Sequence, residues 1–271
     1  MKLMPGSYDN GSTVDNEVEI LASFQRRSRD IYQAFNHDAN IPYGKLARQT
    51  FDWLHSPHPA VGTLIFIHGG YWQFCNKEDF AFIAAVPLAL GLDVVLVEYS
   101  HAPQATLTDI DGEIGAALSA IQRRLAQRPP RGPVWLAGHS AGGQLVARWQ
   151  QHPLVDAVFP ISGIFELEPL LATYVNQRLR LTAAEIAALS PARHIPERLT
   201  PMTLYYGALE LPELIGQSEH YCQALRQQGL TVGLQPVAGA NHYNVLDALF
   251  AADGALIQQL QQGKMADENH R

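Results

Sequence analysis

The sequence predicts an α/β domain with a mostly parallel sheet and helices on both faces. Short β-rich apolar runs alternate with helical stripes for most of the 271 residues, and runs such as "TLIFIH" (63–68) are apolar throughout. Strict alternation feeds parallel strands through helical crossovers, and an uninterrupted apolar strand is one buried on both sides. The composition, 47% apolar and 17% charged, excludes a disordered chain, and the length suits one large domain over 1–271.

The elements follow in order. The N-terminus, "MKLMPGSYDNGSTVDNE", is polar and lacks an apolar signal core, so residues 1–18 read as a frayed leader. "EVEILASFQRRSRDIYQAF" puts Ile20, Phe24, Ile31 and Phe35 on one side of a helix. A strand over 63–68 ends at Gly69 and Gly70. "EDFAFIAAVPLALG" reads as a proline-kinked helix stopped by Gly91. A strand over 93–99 precedes a helix whose stripe is Ile110, Ile114, Leu118, Ile121 and Leu125, closed by "RPPRG". "PVWLAG" (133–138) is a strand followed by a helix from about Gly142 to Gln151. Strands follow at 155–162, 203–207 and 231–237, with a helix around 216–228 and a last one in "NVLDALFAADGALIQQLQQ". Residues 163–200 break the alternation. They read as short helices inserted between strands, a lid over a site.

The stretch "WLAGHSAGGQ" (135–144) surrounds Ser140 with small residues. It falls between a strand and a helix, at the carboxyl end of the sheet where α/β proteins bind ligands. Gly138 and Gly142 let the chain turn sharply, and the next helix aims its first amides at whatever approaches the serine. A serine hydroxyl needs a base to become a nucleophile. His242, past the last strand in "AGANHYNVL", holds the position for that base. An acid that orients the histidine belongs between them in the chain. Glu210, three residues beyond the strand that ends at Gly207, is the first candidate, and Glu213 is the second. Asp247 lies after the histidine in a helix and suits the role poorly. His68 and His139 read as scaffold near the site. The amides of Gly70 or Tyr71 in "IHGGYW" (67–72), with that of Ala141, would form an oxyanion hole.

With these residues in place, the chain resembles the α/β hydrolases, and within them the kynurenine formamidase (arylformamidase) and carboxylesterase group. The resemblance runs from about 45 to 255. It is carried by "HGGYWQ" (68–73) with Lys77, "VEYSHAPQATL" (97–107), "GHSAGG" (138–143), "SGIFELEPL" (162–170), "LSP" (189–191), "LELPELIGQS" (209–218) and "ANHYNVLDAL" (240–249). It implies Ser140 as nucleophile, Glu210 as acid and His242 as base. Animal members associated with the motif carry Asp at the acid position, and here it is Glu, one methylene longer. The implied substrate is a formamide or small aryl ester, N-formylkynurenine first. A short-chain carboxylesterase is the alternative, and a non-catalytic binding protein a more distant one. Tyr71, Trp72, Phe165, Tyr174 and Tyr243 are available to stack on an aryl group. A formyl group needs only a narrow acyl pocket beside "HGGYW", with a roomier leaving-group side under the 163–200 insertion.

No metal ligand set is evident, since "HSPH" (55–58) stands alone, and no cofactor is implied. The net charge of −7 disfavours nucleic acid, and no apolar run is long enough to span a bilayer. Without a signal sequence the expectation is a cytoplasmic protein in which Cys75 and Cys222 stay reduced. The partner expected is a small, aryl substrate, and a homodimer is compatible with the sequence.

Overall fold

The computed structural model describes residues 6–127 and 132–268, the last five by backbone alone. Eight strands form one sheet: β1 (His37–Pro42), β2 (Thr50–Leu54), β3 (Gly62–Ile67), β4 (Leu92–Val97), β5 (Val134–His139), β6 (Ala157–Ile161), β7 (Thr203–Gly207) and β8 (Gly233–Val237). Their order across the sheet is β1-β2-β4-β3-β5-β6-β7-β8. The pairs β1/β2 and β2/β4 are antiparallel, and every pairing from β4 through β8 is parallel. The chain is therefore the α/β-hydrolase fold that the alternation and the motifs predict.

The helices are α1 (Glu17–Ala34), α2 (Ala85–Ala89), α3 (Leu107–Leu125), α4 (Ala141–Arg148), α5 (Asn176–Leu179), α6 (Ala183–Leu189), α7 (Pro212–Gln227), α8 (Val245–Phe250) and α9 (Ala255–Glu268). Side-chain alternation divides the apolar residues of the central strands between two cores. Ile65, Ile67, Val95 and Val97 meet Ile110, Ile114, Leu118 and Ile121 of α3 together with residues of α4 and α7. Leu64, Phe66, Val94 and Leu96 meet Phe24 of α1, Leu88 of α2 and the apolar side of α8 and α9. Both faces of β3 and β4 are covered, which is why their sequences carry no polar alternation.

Four segments differ from their sequence reading. The two N-terminal strands were absent from it: "HDANIP" is an exposed edge with little β propensity, and "TFDWL" hides a buried carboxylate. That carboxylate, Asp52, is satisfied by Tyr32 Oη at 2.7 Å, the Asn40 N–H at 2.6 Å and Lys77 Nζ at 3.4 Å. The helix expected around 78–91 is a 3-10 helix (Lys77–Ala84) followed by α2, so Pro87 falls in a first turn, where its missing N–H costs nothing. The final helix is two helices, because the chain folds back at Gly254, where a Cβ would meet Leu249 O at 2.3 Å.

The leader is the fourth. Residues 6–16 do not fray. They form a strap across the carboxyl end of the sheet, with Ser7, Tyr8 and Asn10 buried, while residues 1–5 lie outside the described residues. Its polar side chains find partners: Tyr8 Oη accepts from Gln217 Nε2 at 2.8 Å, and Ser7 Oγ donates to Glu213 at 2.8 Å. Polarity that reads as solvation in the sequence is here hydrogen bonding. No helix of the described residues is long and apolar enough to cross a membrane.

Candidate active site

Ser140 sits between β5 and α4 with φ 57° and ψ −117°. A non-glycine residue held there carries backbone strain of about 1–3 kcal/mol. The surrounding glycines make the strain tolerable by close approach. A Cβ on Gly142 would fall 2.1 Å from Ile67 O, and one on Gly138 2.3 Å from Gly142 O. The loop after β3 comes equally near, since a Cβ on Gly69 would lie 3.0 Å from Cβ of Ser140. The small residues thus serve both the sharp turn and the approach of a second loop.

His242 and Glu210 form a pair, with Nδ1 to Oε2 at 2.9 Å, and both are buried. The other carboxylate oxygen of Glu210 accepts from Ser162 Oγ at 2.5 Å and from the Gly207 N–H at 2.6 Å. A buried carboxylate is costly unless it is so satisfied. Glu213 is elsewhere, taking the hydroxyl of Ser7, and Asp247 is exposed against Arg27 on α1. Ser162 is a residue the sequence reading missed. It directly follows β6, at the same sheet end as Ser140, and its φ of 52° turns it toward the acid. A polar residue at a strand's carboxyl end was the available signal.

His139 supports the same loop. Its Nε2 donates to the His242 carbonyl at 2.9 Å, and the two imidazole rings are 4.6 Å apart. Burial, with the neighbouring His242, holds its pKa well below the usual histidine range, so the ring is neutral.

The "HGGYW" loop has three successive residues at positive φ: Gly70 (104°), Tyr71 (47°) and Trp72 (58°). A buried network stiffens its base. Tyr99 Oη lies 3.0 Å from the carbonyl of His68 and 3.2 Å from that of Gly69. Glu98 holds His68 Nε2 at 3.0 Å and Arg48 at 2.8 Å. Burial opposes the charge on Glu98, but His68, Arg48 and the Tyr99 N–H outweigh it and lower its pKa to about 2. His68, Glu98 and His101 are close enough together to ligate a metal. The Arg48 guanidinium, 2.8 Å from both Glu98 and His101, already supplies a cation there.

These loops enclose a cavity of about 390 Å³ lined by Ser140, His242, His139, Gly70 and Tyr71. Of the aromatic residues expected at its rim, Tyr71, Tyr174 and Tyr243 line it. Trp72 and Phe165 do not. Trp72 is fully buried with Nε1 3.3 Å from Gln144 Oε1, and Phe165 stacks on Tyr221 at 4.5 Å. Both belong to the core beneath the site. The 163–200 insertion contributes less cover than expected. Among its described residues only Tyr174 lines the cavity, while Asp9, Asn10, Gly11, Glu17, Leu21 and Phe24 of the strap and α1 also line it. Cys75 also lines it, but burial pushes its thiol up to about 12, which removes it as a nucleophile.

Comparison with known proteins identifies the family and the fold. Residues 64–192 match the model of a family described by the alpha/beta hydrolase fold. The kynurenine formamidase of Danio rerio is 31% identical over 247 residues, covering 86% of this chain and 82% of the fish protein. That of Salmo salar is 30% identical over 264 residues, covering 91% and 87%. Among solved structures, one from Silicibacter sp. TM1040 described as a thioesterase superposes with a TM-score of 0.85 at 26% identity, covering 94% of this chain and 97% of that one. The chain belongs to the α/β-hydrolase family, in its arylformamidase and esterase group, and is a hydrolase of that kind.

Proposed function

We propose that the protein is a serine hydrolase that transfers a small acyl group, formyl above all, from an aryl leaving group to water through an acyl-enzyme on Ser140. The observation that carries this is the pairing of buried Glu210 with His242, which lines the same cavity as Ser140 at its strained turn. Ser140 Oγ attacks the acyl carbon while Nε2 of His242 takes its proton. Glu210, on Nδ1, fixes the tautomer that leaves Nε2 free and stabilises the imidazolium. The amides of Ala141 and of Gly70 or Tyr71 receive the developing oxyanion. His242 then returns the proton to the leaving nitrogen or oxygen. Water, deprotonated by the same histidine, releases formate and restores Ser140.

The names of the fish relatives favour a formamide, with N-formylkynurenine the first candidate. Tyr71, Tyr174 and Tyr243 supply an aryl-binding wall. The test is a hydrolysis screen of purified protein with N-formylkynurenine beside p-nitrophenyl esters of increasing acyl length. The formamidase reading predicts turnover of the formamide and a steep fall with acyl length, each unaccommodated methylene costing about 1–3 kcal/mol. A profile peaking at butyrate or hexanoate, with the formamide untouched, favours a short-chain carboxylesterase and overturns it.

A further inference from the structure

The strap and the first turn of α1 together bring two carboxylates to the cavity. Asp9 and Glu17 are half-buried in its wall, and neither forms an ion pair among the described residues. Gly11 keeps the gap between them free of a side chain. A Cβ there would lie 2.7 Å from Oε2 of Glu17 and 3.5 Å from Oδ1 of Asp9. Tyr243 Oη donates to the other oxygen of Glu17 at 2.6 Å, which fixes the carboxylate and leaves Oε2 available.

Asn10 gives an independent indication of a ligand. It lines the same cavity, is only 5% exposed, and its Oδ1 has no hydrogen-bond partner. The amide orientation follows from its neighbours. Tyr71 Oη spends its proton on the Tyr8 carbonyl at 2.6 Å, so it accepts from Asn10 Nδ2 at 3.2 Å, and the oxygen is left over. A buried acceptor without a donor is costly, and a donor-bearing ligand removes that cost. Two carboxylates and an orphan acceptor call for a cationic donor. No Lys or Arg lines the cavity among the described residues, so an anionic substituent finds no counter-charge there.

We propose that Asp9, Glu17 and Asn10 form a subsite for an ammonium group on the leaving-group side of the substrate. The enzyme then selects aryl acyl compounds bearing a primary ammonium over neutral or carboxylate isosteres. This rests on the proposed reading of the cavity as the reaction centre. It deepens that reading by naming the residues that would hold a cationic substituent of the leaving group.

The test is a binding measurement independent of turnover. The affinities of 2-phenylethylammonium, 2-phenylethanol and 3-phenylpropanoate for the intact protein are measured by titration calorimetry. The subsite predicts that the ammonium compound binds about tenfold or more tighter than the alcohol, as for hydrogen bonds to charged groups, with the carboxylate weakest. In the Asp9→Asn/Glu17→Gln double variant the difference falls to about twofold or less. Gly11→Ala, which keeps both charges but puts a methyl in the gap, abolishes the preference as well. Equal affinities for ammonium and alcohol, no ammonium binding at millimolar concentration, or a preference that survives the double variant would overturn the proposal. A failed formamide screen bears on the reaction, and equal affinities bear on the subsite, so the two failures are distinguishable.

Discussion

Oε2 of Glu210 lies 2.9 Å from Nδ1 of His242, while Glu213, one helical turn along, accepts the hydroxyl of Ser7. The two glutamates of "LELPEL" are thereby separated in role. Glu210→Gln should lower kcat by about 10³–10⁴-fold, because an amide no longer enforces the tautomer of His242. Glu213→Gln should cost far less, since glutamine still accepts from Ser7. Glu210→Asp should retain partial activity, its charge kept but withdrawn by one methylene. Steady-state kinetics on the three variants check the assignment, and a more damaging Glu213→Gln would reverse it.

Ser162 holds the carboxylate oxygen that does not face the histidine. Ser162→Ala leaves that oxygen with the Gly207 N–H alone. Loss of one hydrogen bond to a charged group, worth about 1.5–3 kcal/mol, should lower kcat roughly tenfold with KM little changed. A parallel change in KM would mean that Ser162 acts on binding instead.

Tyr71 joins the strap to the "HGGYW" loop, which lines the cavity with Ser140. Tyr71→Phe removes the hydrogen bonds to the Tyr8 carbonyl and to Asn10, leaving buried polar groups unpaired at about 1–3 kcal/mol. We expect a lower melting temperature together with a lower kcat/KM, because the loop loses its anchor. A drop in stability with unchanged kcat/KM would show that the strap is only a cover.

Stability should fall in two stages as pH drops. Burial and Arg48 hold His101 at about 4, and burial and His242 hold His139 well below its usual range. In the unfolded chain both titrate near pH 6.5. Between about pH 6.5 and 4 the unfolded state therefore binds more protons, and stability is lost across that window. Glu98, with a folded value of about 2 against roughly 4.3 unfolded, keeps its contribution above the unfolded value and loses it as pH falls toward 2. Urea denaturation as a function of pH measures this. His101→Gln should make the upper stage shallower, and a flat profile from 6.5 to 4 would contradict the assignment.

Much of this was legible in the residues. The buried parallel strands announced themselves as apolar runs, and the turn at Ser140 as a cluster of glycines. The candidate acid and base followed from their places after β7 and β8. The strap was not legible, because Tyr8 meets Gln217 across 209 positions of sequence and Asn10 meets Tyr71 across 61, and local polarity looks the same whether water or protein is the partner. Trp72 and Phe165 were misplaced for a related reason. An aromatic residue beside a strand end faces either the cavity or the core, and Trp72 and Phe165 are both buried in the core.

Ser140 is the proposed covalent centre. The most direct measurement is reaction of the protein with a fluorophosphonate, followed by intact mass and peptide mapping, beside the Ser140→Ala variant. One adduct per chain on the peptide carrying Ser140, none on the variant, and a loss of turnover on the order of 10⁴-fold or more with the fold intact are the results predicted. Labelling at another residue, or near-normal turnover by Ser140→Ala, would contradict it.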